Sequence, residues 1–472
     1  MIKELGKEII VSTKKTTLIL SNRNQDLLTT EYYGPRIISD SEVSSLIRSY
    51  PYNQGTELSL DEKENISLSQ NQIKLAISTL NRSNYFSPTQ ILSNSKSPVF
   101  DFRFKKADIS VEPKIPDSWV MPHKPDEELI VLLADEVMKA EIEVHYVIYA
   151  KEDVIGQYVI IKNNNSLQLN ISKCMSLSLC LINNNDIMTS TYGSWIGELS
   201  LAKDKVTPGR KVIESLTGSS SARHNPFFML EEENTNEVSG NVYGFNLVFS
   251  GNHEESVEMD SFGNLRIQTG VASAGLDILL EQKEEFVSPM GIMSFSSEGR
   301  NGLAFNMQEF VSSHIIPPQW KNKKRPIIYN NWEATGMKFT KAKLISLMKK
   351  AKKLGIELFV LDDGWFSTRN DDSHGLGDWE CNRKKIPGGL KSLSKSCKDL
   401  GMDFGIWMEP EMVNDDTKVY HDHPEWIIHD NLHYPLKGRH QYTLDLSRKE
   451  VQDYLFEAIS SVLDNKNVSF LK

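Results

Sequence analysis

Glu357-Leu-Phe-Val-Leu-Asp-Asp-Gly-Trp365 sets four consecutive apolar residues before two carboxylates, a glycine and a tryptophan. A short apolar run bounded by turn residues reads as a strand covered on both faces, as in a parallel sheet. The pattern repeats on either side. Pro326-Ile-Ile-Tyr-Asn330 is a first apolar run ending in Asn331-Trp332-Glu333, Phe404-Gly-Ile-Trp-Met408 a third ending in Glu409-Pro410-Glu411, and Val468 to Lys472 a fourth.

Between these runs the period changes from strand to helix. Leu344, Leu347, Met348, Ala351 and Leu354 recur at helical spacing after Thr340, an N-cap residue, and Gly355 suits the C′ position. Leu390, Leu393, Ser394, Cys397 and Leu400 form the next helical face, closed by Gly401, and Ser447 to Asp464 the third. Strand–helix alternation with acids and tryptophans at the strand exits predicts a (β/α)8 TIM-type barrel. Such barrels take about 250 residues, and Pro326 to Lys472 reaches only the fourth strand. The expectation is therefore a first half-barrel over 325–472, with unpaired edges on its first and fourth strands.

Residues 1–320 have another character. Short β-rich runs, Ile142–Tyr149, Gln157–Ile161, Leu167–Ile171, Leu177–Leu181, Tyr243–Phe249 and Leu265–Gln268, lie between Asn, Gly and Ser clusters. They predict an antiparallel β-sandwich, with hairpin turns at Asn163–Asn165 and Asn183–Asn185. Asp40 to Ser97 reads as long polar loops, and Ser312 to Arg325, with Pro317 and Pro318, as a domain junction. The whole chain is thus expected to be multi-domain.

A net charge of −10 without a dense basic patch argues against nucleic acid as partner. No segment approaches 18 apolar residues, and the first eight residues are charged where a signal peptide is apolar, so a cytoplasmic protein is expected. Cysteines 174, 180, 381 and 397 make no CxxC pair; free thiols and no metal site are expected. His421 and His423 stand beside Pro424 and read as loop residues.

The chemistry gathers at the strand exits. Adjacent Asp362 and Asp363 point apart on extended backbone, which suits hydrogen bonding to neighbouring sugar hydroxyls beside a tryptophan better than acid–base work on one bond. A solvated turn before Gly364 is the bland alternative, and the position at a strand's carboxyl end weighs against it. Glu409 and Glu411 could form a glycosidase pair, or could be structural partners of Arg439 or Lys472. Trp407 could be core or platform.

These residues carry a resemblance. PIIYNNWEA (326–334), LFVLDDGW (358–365), LGDW (376–379), IWMEPEMV (406–413), HPEW (423–426) and LDLS (444–447) resemble the α-galactosidases of glycoside hydrolase family 36. Upstream, YGPRI (33–37), Ser194-Trp195, RHNPF (223–227) and YGFNLVFSG (243–251) look like the same family's β-sandwich domain. The likeness implies a retaining, cofactor-free hydrolase of terminal α-galactosides such as melibiose or raffinose, cytoplasmic and tetrameric in bacteria. It makes Asp362 and Asp363 galactose-binding acids, Trp407 an aromatic wall, and Trp332 and Arg439 further pocket residues. Trp195 matches a sandwich tryptophan that reaches a substrate site, and Lys472 the lysine of a Lys-Trp-Asp strand motif.

In that motif the nucleophile is the aspartate two positions after the lysine, and the acid/base lies later still. The resemblance thus places no catalytic residue within 1–472 and withdraws Glu409 and Glu411. The chain alone is expected to be inactive. The alternative is a non-catalytic galactoside-binding protein, or one completed by a partner chain. The family's Gly-Asp-x-Arg segment is not found near 58–72.

Overall fold

The computed structural model describes residues 1–24, 26–47, 57–58, 68–69, 73–80, 82, 84–182, 186–430, 432–464 and 467–472. They divide into two units, Met1–Asn322 and Lys323–Lys472.

Strand Ala140–Tyr149 explains how the first unit is built. Its first half alternates buried and half-buried residues, while its second half is buried throughout. Ile142, Val144, Tyr146 and Ile148 enter the main core, whereas Val147 and Tyr149 enter a second cluster with Phe310 of helix Gly299–Phe310. The helix covers part of the sheet's outer face, so polar residues give way to apolar ones there. That sheet has ten antiparallel strands among the described residues; Ala140–Tyr149 lies between Glu127–Asp135 and Val154–Asn163. A six-stranded antiparallel sheet centred on Leu169–Ile182 and Asn264–Val271 shares the same core through Leu177, Leu179 and Ile267. A Cβ on Gly291 of the larger sheet would lie 2.6 Å from Leu177 Cβ of the smaller, so glycine is required there. A four-stranded antiparallel sheet over Ile2–Pro35 and a two-stranded one of Glu57–Leu58 and Leu68–Ser69 also belong to the unit.

Several expectations need correction. Asn163–Asn165 is not a hairpin turn: the strands it joins, Val154–Asn163 and Leu169–Ile182, belong to different sheets. Its asparagines support the crossing instead, Asn163 Nδ2 donating to the Leu167 and Leu280 carbonyls and Asn165 Nδ2 to that of Met138, all at 2.9 Å. Asn183–Asn185 lies outside the described residues, and the strands flanking it are likewise in different sheets. Leu167–Ile171, from Leu169 on, and Leu177–Leu181 fall in one strand, Leu169–Ile182, whose pairing register shifts twice. Asp40 to Ser97 is not loop throughout, since Asp40–Leu46 is a helix capped by Ser39 and Ile73, Leu75 and Ala76 are buried; most of 58–72 lies outside the described residues. The expected junction contains helical turns at Val311–Ile315 and Pro318–Lys321.

In the second unit, β1 (Ile328–Asn330), β2 (Leu358–Leu361), β3 (Asp403–Ile406) and β4 (Val468–Leu471) form a parallel sheet in chain order. Helices α1 (Lys341–Lys353), α2 (Gly389–Asp399) and α3 (Lys449–Leu463) occupy the successive connections. Leu344, Met348 and Ala351 of α1 pack with Leu390, Leu393 and Cys397 of α2 against Phe359, Leu361, Phe404 and Ile406. Thr340 accepts from Lys343 N at 3.3 Å, as its N-cap role requires. Gly355 at φ +84° closes α1 in a Schellman motif, with Gly355 N donating to Lys352 O and Ile356 N to Ala351 O. Leu354, expected on the buried face, is exposed because it is the C-cap. β2 is wholly buried, whereas Ile328 of β1 and Leu471 of β4, the outer strands, are exposed. His421 belongs to a short helix, Lys418–Asp422, and His423 caps it with its ring stacked on Trp426 at 3.9 Å. Cys174, Cys180 and Cys397 are buried free thiols and Cys381 is half-buried.

Candidate functional site

The parallel register brings the carboxyl ends of all four strands of the second unit to one side. Asp362 follows β2 directly and is buried. Its backbone N donates to Asn331 Oδ1 at 2.8 Å, and its Oδ2 accepts from Asn330 Nδ2, at the end of β1, and from Lys472 Nζ at 2.6 Å, beyond β4. Lys472 continues the parallel ladder, donating its N to Ile406 O and accepting from Met408 N. Three strand ends thus converge on one carboxylate.

Asp363 turns the other way, as alternation demands. Arg369 Nε lies 3.1 Å from its Oδ1 and Arg369 Nη2 2.9 Å from its Oδ2. The arginine has no exposed surface. A buried charge of this kind is tolerated only when paired and hydrogen-bonded. Gly364 then turns at φ +96°, where a Cβ would meet Met337 Cβ at 2.8 Å, so no other residue fits without displacement. Lys385 Nζ holds this turn by donating to the carbonyls of Gly364 (2.7 Å), Arg369 (2.8 Å) and Met337 (3.1 Å). Burial lowers the Lys385 pKa, and the Asp363 carboxylate works in the other direction.

Trp407 sits one residue past β3, beyond the strand rather than within it, and its N donates to Leu361 O at 2.9 Å. Its half-buried ring lies near Phe366 and Trp379, and its carbonyl accepts from the buried Trp365 Nε1 at 2.8 Å. Trp332, partly exposed, opens the helical turn after β1, its N donating to Asn330 Oδ1 at 2.8 Å. Arg439 does not touch either aspartate. Its guanidinium stands 3.9 Å from Glu409 Oε1 and 3.9 Å from Asp372 Oδ1, in a turn where Arg439 and His440 both have positive φ. Burial raises the Glu409 pKa, with Arg439 opposing it. Glu409 therefore meets Arg439, one of its two expected partners, while Lys472 meets Asp362 instead. Trp195 belongs to the first unit and is 86% exposed in the two-residue turn between strands Asp186–Ser194 and Gly197–Lys205.

The sequence reading did not anticipate Asn330, Arg369, Asp372, Lys385 or Asn414. Asn330, as the last residue of an apolar run, could have been found from its position. Arg369 and Asn414 sit in aperiodic polar loops with no such signal. Among the described residues no group of three or more His, Cys, Asp or Glu is placed to hold a metal ion, and no helix is long and apolar enough to cross a membrane.

What has been assembled is a floor of fixed carboxylates with matched cations and flanking indoles, which suits a ligand rich in hydroxyl groups. The family model described as Melibiase matches residues 285–472, and that of the glycosyl hydrolase family 36 N-terminal domain matches 26–281. The α-galactosidase Mel36A of Lactobacillus acidophilus is 32% identical over 99% of this chain, and the match covers 64% of that protein. Among solved structures, α-galactosidase AgaA variants of Geobacillus stearothermophilus superpose with a TM-score of 0.93, one in complex with stachyose (30% identity) and one with raffinose (29%). Both matches cover 98% of this chain and 65% of the other. The chain thus spans less than two thirds of the length of each of these relatives.

Proposed function

The chain belongs to the α-galactosidase family glycoside hydrolase 36, and from that premise we propose that its second unit is the first half of a (β/α)8 barrel carrying the galactose-recognition part of the site. The activity it serves is hydrolysis of terminal α-galactosides, of the kind bound by the AgaA variants, by retaining double displacement. In that chemistry one carboxylate attacks the anomeric carbon while a second protonates the leaving oxygen, and water then cleaves the glycosyl–enzyme.

The observation that carries this reading is the convergence of Asn330, Asp362 and Lys472 from three strand ends. Each carboxylate oxygen that faces a cation keeps further lone pairs for a hydroxyl donor. Asp362 and Asp363 are read as acceptors for galactose hydroxyls, Lys472 as a donor to the same ring, and Trp407 and Trp332 as walls. Arg439 is read as a rim group, and Trp195, in the first unit, as a further contact. The ion pairs of Asp362 and Asp363 suit them to recognition. The covalent step is assigned in this reading to carboxylates outside residues 1–472, so the 472-residue chain is expected to bind galactose without turning over substrate. Four free cysteines fit a reducing compartment, and the cytoplasm is the proposed location.

Calorimetric titration of the 472-residue chain tests the reading. Galactose is expected to bind and glucose, its C4 epimer, to bind more weakly, with Asp362→Asn and Asp363→Asn each reducing galactose affinity. Equal affinity for the two sugars, or no effect of either substitution, would overturn it. Release of aryl leaving group from an aryl α-galactoside at a rate untouched by Asp363→Asn would overturn the division of roles.

A further inference from the structure

Asp363 and Arg439 lie on different loops and do not touch, yet a buried side-chain path joins them. Arg369, fully buried, forks onto Asp363 through Nε and Nη2, and its Nη1 lies 3.3 Å from Asn414 Oδ1. Asn414 is itself without exposed surface; its Oδ1 also accepts from Leu376 N at 2.9 Å, and its Nδ2 donates to His440 O at 3.0 Å. A second, outer link runs parallel. Asp372 Oδ1 stands 3.8 Å from Arg369 Nη2 and 3.9 Å from Arg439 Nη2.

The far end of this path is a turn that needs holding. Gly438 and Gln441 exchange both backbone hydrogen bonds at 2.9 Å around Arg439 at φ +51° and His440 at φ +64°. Two positive φ values in a two-residue loop define a type I′ turn, whose usual occupants are asparagine and glycine. Side chains with a Cβ are disfavoured there by about 1–2 kcal/mol each. Such a turn persists only where its surroundings over-determine it. The Asn414 amide on the His440 carbonyl is the buried side-chain contact that does so, beside the Arg439 ion pairs with Asp372 and Glu409 and that of Lys437 with Asp415.

We propose that Arg369 and Asn414 are positioning residues, a buried strut that fixes the Arg439–His440 turn against Asp363 and so sets the spacing between two groups of the galactose site. The proposal rests on the galactose reading for its purpose, but not for its existence as a mechanical link. Geometry rather than charge is what the strut supplies. A lysine at 369 would keep the positive charge and lose the fork that reaches Asp363 and Asn414 together. An aspartate at 414 would keep the acceptor for Leu376 N and Arg369, put a carboxylate oxygen in place of the donor to His440 O, and bring a negative charge to Arg369.

Two readouts on the 472-residue chain test it. The first is the rate of tryptic cleavage after Lys437 and Arg439, compared with the global thermal midpoint. The second is galactose affinity by calorimetry. Arg369→Lys and Asn414→Asp are each expected to speed cleavage in the turn severalfold more than their change in thermal midpoint accounts for, and to weaken galactose binding about tenfold, the scale of one to two hydrogen bonds. Unchanged cleavage after Arg439 in Arg369→Lys, a residue that does not contact the turn, would overturn the strut. So would full galactose affinity in Asn414→Asp. If the unsubstituted chain binds no galactose, the functional reading falls, and the cleavage rates still decide the strut. Should Asn414→Asp fail to fold, Arg369→Lys carries both measurements.

Discussion

Lys472 Nζ lies 2.6 Å from Asp362 Oδ2, joining the carboxyl ends of β2 and β4 across 110 positions of sequence. The strand between them, β3, is bonded to both, so the pair closes over a continuous ladder. Removing the ammonium leaves a buried carboxylate with Asn330 as its remaining side-chain donor. Lys472→Met is therefore expected to lower galactose affinity by at least about tenfold, since a charge-assisted hydrogen bond outweighs a neutral one. Lys472→Arg should retain part of it. Titration calorimetry on the three chains checks this, and undiminished affinity in Lys472→Met would remove the lysine from the site.

How much of this was legible in the sequence depends on where each signal resides. β2 and the α1 face are local patterns, and both were read to within a residue or two. Gly355 and Gly401 announced helix ends because only a positive φ closes that motif without strain. The opposite facing of Asp362 and Asp363 follows from strand geometry alone. Arg369 could not be read, because its burial is decided by Asp363 and Asn414 folding over it from other segments. Asn163–Asn165 misled for a related reason: asparagines report that the chain turns, not which sheet the next strand joins. Helix Gly299–Phe310 escaped because its buried residues, Gly299, Leu303, Asn306 and Phe310, include two without apolar side chains. Leu303 packs where a Cβ on Gly244 would stand, a match made only in three dimensions.

Gly364 makes the turn that directly follows the two aspartates. An alanine there would hold φ +96° against its own sterics and press its Cβ into Met337 at 2.8 Å. Gly364→Ala is expected to cost about 2–4 kcal/mol, combining backbone strain with overlap in a packed site. Urea unfolding of the second unit's signal checks it. A loss below about 0.5 kcal/mol, the scale of an ordinary surface substitution, would mean that the turn relaxes freely.

The first unit carries its own pH signature. His145 is buried and stacked on Tyr158, 2.9 Å from Glu128 and 3.7 Å from Glu143, which also meets Lys162 at 2.7 Å. The neighbouring His145 and Lys162 outweigh the cost of burial and pull the Glu143 pKa down to about 2. The stability this confers is present above the ordinary value of 4.5 and is lost as pH falls towards 2. Burial opposes the charge on His145, but Glu128 and Glu143 outweigh it and raise its pKa above 6.5. That contribution is present below pH 6.5 and is lost as pH rises through the raised value. Glu143→Gln should flatten the acid limb of the thermal midpoint, and an unchanged limb would show that other carboxylates govern it.

Glu409 should respond in the opposite sense on the acid side. Its pKa is raised, first by burial, with the nearby Glu411 adding to the effect and Arg439 opposing it. The native state therefore holds this proton more tightly than the unfolded chain does. Its contribution is most favourable below the ordinary value of 4.5 and is lost as pH rises through the raised one. Its buried Oε2 has no hydrogen-bond partner among the described residues, so an amide of the same shape gives up little. Glu409→Gln is expected to leave the second unit at least as stable as the parent at pH 7, with the difference shrinking towards pH 4. Galactose affinity should fall only as far as Arg439 loses its companion carboxylate. Thermal melts at the two pH values decide between this and a supporting role for the ionised glutamate, under which the variant would be the weaker protein at pH 7 and would recover at pH 4.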